Sequence, residues 1–117
     1  MWILVAAASG ALAVAAGAFG AHGLRAQATL EQVQSWTTAS QYHLLHSVAL
    51  LALGLYAAQS GRGVQWPATL FTIGIVLFSG SIYLLVLTPF RWLGPVTPVG
   101  GLFLVSGWAS LLLLVRN

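Results

Sequence analysis

Isolated charges divide this chain into long uncharged stretches, and that spacing constrains its fold more than any other feature. Arg25, Glu31, Arg62, Arg91 and Arg116 are its only charged residues, so 1–24, 32–61, 63–90 and 92–115 contain none. Each stretch can hold the roughly 20 apolar residues that an α-helix needs to cross a bilayer. Soluble chains carry charge on about 25% of residues. Here 4% of 117 residues are charged and 59% are apolar, a composition that would associate through apolar patches in water. Backbone groups in hydrocarbon must be satisfied inside a helix or a closed barrel. These runs lack the apolar–polar alternation of barrel strands. The expected fold is therefore all-α: an up-down bundle of four transmembrane helices in one domain over residues 1–117. The spans are expected at about 2–21, 39–59, 66–87 and 97–115.

The net charge of +3 comes from arginines placed one per loop or terminus, not from the clustered basic patch of a nucleic-acid surface. The expected partner is the lipid bilayer, with no nucleic acid, and the arginines read as interface anchors. Arg25 and Arg91 fall on one side of the expected bundle, Arg62 and Arg116 on the other. The positive-inside rule therefore gives no orientation. The absence of cysteine excludes disulfides, thiolate catalysis and cysteine-based metal sites. The N-terminal run lacks a basic n-region and continues to Ala21, so it reads as a retained first span rather than a signal peptide.

Small residues recur along the expected spans, as they do where membrane helices approach closely. Gly10 and Gly17 lie two turns apart, with Ala6, Ala13 and Ala21 on the same broad face. Gly20, Gly80, Gly100, Gly101 and Gly107 join them as expected packing positions, with Gly17 and Gly80 at close helix contacts. Residues 22–38 are the most polar part of the chain. Thr29 is placed to cap a short amphipathic helix lying at the membrane interface between the first two spans. Gly61-Arg62-Gly63 marks a tight turn, and Trp66-Pro67 opens the third span with proline near its start.

The densest chemistry lies in Tyr42-His43-Leu44-Leu45-His46. His43 and His46 project from nearly one helix face, with Tyr42 beside His46. Two imidazoles so placed suit a shared metal, a haem iron or a proton relay. His22 is expected at the same membrane level as His43, though with ring separation too wide for a shared metal. The plainer reading is that the histidines hydrogen-bond to neighbouring helices, face the interior and lock packing. No His-Glu-x-x-His pattern accompanies them, and on a continuous helix Glu31 lies about 18 Å from His43. Ser79 and Ser81 place hydroxyls inside the third span. With no paired base and acid, they are expected to bond to a carbonyl or across to another helix.

Taken in order, the motifs resemble a known family. Gly17-Ala18-Phe19-Gly20-Ala21-His22-Gly23-Leu24 is followed by Thr38-Ala39-x-x-Tyr42-His43-x-x-His46-x-x-Ala49. Phe78-Ser79-Gly80-Ser81-x-Tyr83, Thr97-Pro98-x-Gly100-Gly101 and Gly107-Trp108 complete the series. Together they resemble the DUF423 family, also called UPF0382, small integral membrane proteins of bacteria similar to TMEM-256-type proteins of eukaryotes. The resemblance covers essentially the whole chain and implies a multi-pass protein of the bacterial inner membrane. It brings no established activity and no catalytic residues.

Three functional classes follow. One is a non-enzymatic protein that acts by packing, as a homo-oligomer or an accessory subunit of a larger membrane complex. Another is a small carrier or channel using His22, Tyr42, His43, His46, Ser79 and Ser81. The last is a metal- or haem-binding subunit using the histidines. No cofactor is expected under the first reading, and an enzyme ranks below all three.

Overall fold

The computed structural model describes residues 1–115. Among them every regular element is helical: α1 (Trp2–Ala21), α2 (Leu30–Ser60), α3 (Gln65–Ile75), α4 (Ser81–Leu87), α5 (Val96–Ser110) and α6 (Leu112–Val115). Single 3₁₀ turns at Leu24–Ala26 and Arg91–Leu93 lie in the connections. A π-helical turn, Val76–Gly80, joins α3 to α4. The C-terminal Arg116 of the orientation argument lies outside the described residues. By length and composition, three helical stretches among the described residues suffice to cross a membrane: Trp2–Ala26, Gln65–Leu87 and Arg91–Val115. The 31-residue α2 is not among them, since Gln41, His43, His46 and Ser47 dilute its apolar content.

The expected interfacial helix between the first two spans does not form as a separate element. Its residues are instead the opening turns of α2, which runs unbroken from Leu30 to Ser60. The start is fixed locally. The Thr29 hydroxyl accepts from the Gln32 N–H at 3.1 Å, and the Gln32 side chain accepts from the Thr29 N–H at 3.0 Å, closing a capping box. No glycine or proline interrupts the next two turns, so propagation costs less than a second nucleation. Thr29→Ala is expected to cost about 1 kcal/mol, seen as faster amide exchange confined to the first turn of α2. At its other end, α2 stops at Gly61, whose φ of 73° lies in the left-handed region that glycine adopts without strain.

α2 is the element the others share. Val33, Trp36, Ser40, His43, Ser47, Leu50 and Gly54 are buried along one seam, and Ala39, His46 and Leu53 along an adjacent one. α1 covers the first seam. Its buried residues, Ala6, Ala13 and Gly20, recur every seven positions, the spacing that keeps a seam against a neighbouring helix. On the other side, α3 packs against α2 and α5 packs alongside α3, reaching α2 through Trp108 on His46. There Leu50, Leu53, Ala68, Phe71, Ile75 and Leu104 form the main apolar core.

Glycine placement only partly follows the expected list. A Cβ at Gly20 would meet the Trp36 ring at 2.5 Å, one at Gly107 the Phe71 ring at 2.7 Å, and one at Gly100 the backbone of Leu77 and Phe78. Gly10, Gly17 and Gly101 sit at ordinary distances of 3.8–3.9 Å from their neighbours, so Gly17 is not a position of unusually close approach. Gly80 is a correction: nothing lies within 4 Å of a Cβ built there, because it falls in the π-helical turn rather than at a helix crossing. Gly54 against Ile3 and Gly74 against Leu104 are close contacts outside the expected set. Ala21, expected on the packing face, is exposed.

Candidate functional site

The polar side chains of the interior converge on α2. His43 and His46 are both buried, as an imidazole without partners in hydrocarbon is costly. His46 Nδ1 lies 2.7 Å from the Tyr42 carbonyl oxygen, and Trp108 Nε1 donates to His46 Nε2 at 2.9 Å. A carbonyl only accepts and an indole N–H only donates. His46 is therefore a neutral imidazole with its proton on Nδ1, and both nitrogens are engaged. Phe71 and Trp108 enclose the ring, with centroids at 5.5 and 5.8 Å.

His43 sits in a directed chain of hydrogen bonds. Ser47 Oγ lies 2.7 Å from the His43 carbonyl, a contact that needs the serine proton because the carbonyl has none to give. Ser9 Oγ, 2.6 Å from Ser47 Oγ, is then the donor to Ser47. Ser9 in turn accepts from His43 Nε2–H at 3.1 Å. That leaves His43 Nδ1 to accept the Tyr83 O–H at 3.0 Å. One chain, Tyr83 to His43 to Ser9 to Ser47 to a backbone carbonyl, thus links α4, α2 and α1. Its terminal carbonyl cannot pass a proton on, so the chain as it stands locks helices and does not relay protons.

The remaining expected residues are placed elsewhere. Tyr42 is exposed, its ring against Phe78 at 4.9 Å and stacked on His46 at 6.0 Å, and its backbone oxygen is the partner of His46 Nδ1. His22 is an exposed residue at the end of α1. His43 pairs with Ser9, thirteen positions back along α1, so His22 stands about 20 Å further along the helix axis. The expectation that His22 and His43 share a level fails because α2 begins at Leu30 and carries His43 deep into the bundle. Among the described residues, no three of His, Cys, Asp and Glu are grouped to hold a metal. Ser79 Oγ donates across to the Ala39 carbonyl at 2.7 Å. Ser81 Oγ donates to the Phe78 carbonyl and accepts from Thr97 Oγ1 at 2.6 Å. Both serines tie the π-helical turn to its neighbours.

Sequence reasoning missed Ser9 as a site residue; it is one hydroxyl in an alanine-rich span. The i, i+4 spacing of His43 and Ser47 was the available signal for the other serine. Beside this network runs a groove of about 800 Å³ between α1 and the α3–α4 rod, with His43, Ser9 and Tyr83 in its lining. Trp2 Nε1–H···Gln65 Oε1, at 2.7 Å, ties the two walls at one end.

Apolar helices, an interior closed by hydrogen bonds and lipid-compatible surfaces define an all-helical membrane protein. Residues 16–101 match the family described as "Protein of unknown function (DUF423)". A UPF0382 membrane protein of Staphylococcus aureus is 38% identical over 97% of this chain and 93% of its own length. One of Staphylococcus epidermidis is 39% identical over the same shares. A UPF0382 membrane protein of Schizosaccharomyces pombe is 42% identical over 92% of this chain and 95% of its own length. No solved structure gives a significant match. The chain belongs to the DUF423, or UPF0382, family.

Proposed function

We propose that this is a non-enzymatic, four-span protein of a bacterial inner membrane. It acts by packing, as a homo-oligomer or an accessory subunit of a larger membrane complex. The observation that carries the reading is the hydrogen bonding of the two buried histidines. All four of their ring nitrogens have partners within the chain, three of them on other helices, so binding a metal or haem would first break a hydrogen bond the fold already makes. The Staphylococcus relatives support the bacterial location. Support for α2 as the fourth span comes from its length of about 46 Å and its position between α1 and α3–α5. Ser40, His43, His46 and Ser47 are turned inward and hydrogen-bonded there, which removes the usual penalty of carrying them across lipid, while Gln41 stays exposed.

The test uses the full chain in nanodiscs. Tags on the two termini should be accessible from the same face, as an even number of spans requires; access from opposite faces overturns the four-span topology. Native mass spectrometry should give one defined assembly larger than the monomer. Zinc addition should leave the melting temperature unchanged. A uniform monomer, or stoichiometric metal or haem with the matching absorption band, overturns the packing reading.

A further inference from the structure

The groove between α1 and the α3–α4 rod carries an inference that goes beyond association. Its rims, Leu12, Val76 and Leu87, are exposed, so it opens sideways onto whatever surrounds the helices. Along the rod it extends from Thr72 to Leu87, about 22 Å at the helical rise. This is most of one ~30 Å hydrocarbon core. The lining is apolar apart from six residues: Ser9, Trp36, His43, Thr72, Ser79 and Tyr83.

The hydrogen-bond roles of those six are one-sided. Trp36 N–H donates to the Ala16 carbonyl, Thr72 O–H to Ala68 and Ser79 O–H to Ala39. Tyr83 donates to His43, His43 to Ser9 and Ser9 to Ser47. Every N–H and O–H of these side chains is engaged. What remains is oxygen lone pairs, on Tyr83 and Ser9 in particular. Such a lining is matched by a ligand that brings its own proton. It is mismatched to an ether, ester or ketone, which would set lone pair against lone pair.

The wall of the groove is also kept open at a cost. Glycine inside a helix is less stable than alanine by about 0.5–1 kcal/mol, and close approach is its usual compensation. Gly80 lines the groove and approaches nothing. It stands at the end of the π-helical turn, an irregularity often found at functional sites. What Gly80 preserves is empty volume beside Tyr83.

We propose that this groove binds a single-chain amphiphile whose head group donates an O–H hydrogen bond, with its tail lying toward Thr72. In bulk hydrocarbon such a hydroxyl has no partner; here Tyr83 and Ser9 supply acceptors. A docking helix would match less well, because its backbone N–H groups are already engaged internally.

The test is photolabelling of the full chain in nanodiscs with a diazirine-bearing long-chain alcohol. Competitors are hexadecanol, palmitic acid and the methyl ether of hexadecanol. Label should map to α1 and the α3–α4 rod, and hexadecanol should compete roughly five- to tenfold better than its ether, the worth of about one hydrogen bond. At a pH low enough to keep the carboxylic acid protonated, palmitic acid competing better than hexadecanol would identify a fatty acid as the natural source of the O–H, and the reverse an alcohol. Ser9→Ala removes one acceptor and frees one donor in either His43 tautomer, so the preference for alcohol over ether should collapse. Gly80→Leu should melt no lower than the parent and lose most of the label. Equal competition by alcohol and ether, undiminished labelling of Gly80→Leu, label mapping outside the groove, or cross-linking there to a second copy would each overturn the proposal.

Discussion

Replacing Gly100 with alanine is expected to lower the melting temperature in detergent further than alanine at any other glycine. A Cβ at this position would overlap Phe78 N and lie 2.6 Å from Leu77 C and 2.7 Å from Phe78 Cα. All three are backbone atoms of the rod facing α5, so no rotamer change relieves the overlap; the helices must separate. Overpacking a well-filled interior costs about 1–3 kcal/mol and occasionally more, and the rigid contact places this substitution at or above the top of that range. At Gly20 and Gly107 the nearest atoms belong to the rings of Trp36 and Phe71, which can shift, so alanine there should cost less. Gly80→Ala supplies the opposite sign. It meets nothing within 4 Å and reduces the freedom of the unfolded chain, worth about 0.4–1 kcal/mol of stabilisation. The measurement is a pair of thermal melts, Gly100→Ala falling and Gly80→Ala level or rising. A Gly100→Ala protein that melts with the parent would remove the close approach of α5 to the π-helical turn as a source of stability.

The contrast between those two glycines shows which parts of the architecture were readable from composition and which needed partners. Uncharged stretches identify where helices run, because charge placement is a property of the chain alone. Thr29 and Gly61 mark the ends of α2, since a cap and a left-handed residue act on their own backbone. Helix contacts are different: a glycine's role depends on what stands opposite. Gly54 and Gly74 carry no local mark that Ile3 and Leu104 will press on them, and Gly80 looks like a packing residue until the π-helical turn rotates it into open space. The polar run at 22–38 suggested a break because amphipathic segments commonly lie at interfaces. The capping box at Thr29 instead starts one helix that runs unbroken to Ser60, which moves His43 about 20 Å from Leu30 along the axis and away from His22. The histidine pair itself was visible as chemistry. Its partners Ser9, Tyr83 and Trp108 come from three other elements, and only the tertiary fold joins them.

Removing His43 should show whether that network holds the helices together. His43→Leu keeps an apolar side chain of compatible size but leaves the Tyr83 hydroxyl without its acceptor and Ser9 without its donor. An unsatisfied buried polar group costs about 1–3 kcal/mol; the Tyr83 hydroxyl is the one group left so, since Ser9 still donates to Ser47, and that range is the expected loss. Tyr83→Phe strands only His43 Nδ1 and is expected to cost about 1–2 kcal/mol on the same scale. The decisive quantity is the double variant. With both partners apolar, the orphaned hydroxyl of the first single variant and the orphaned nitrogen of the second disappear together. The pair should then cost less than the sum of the singles by about 1 kcal/mol or more, a coupling typical of groups in one network. Melting curves in detergent of the parent, both single variants and the double variant give the cycle directly. Strict additivity would mean that the 3.0 Å contact between Tyr83 and His43 contributes nothing. A His43→Leu protein that melts like the parent would detach His43 from the fold altogether and return the imidazole to the list of groups free for ligand chemistry.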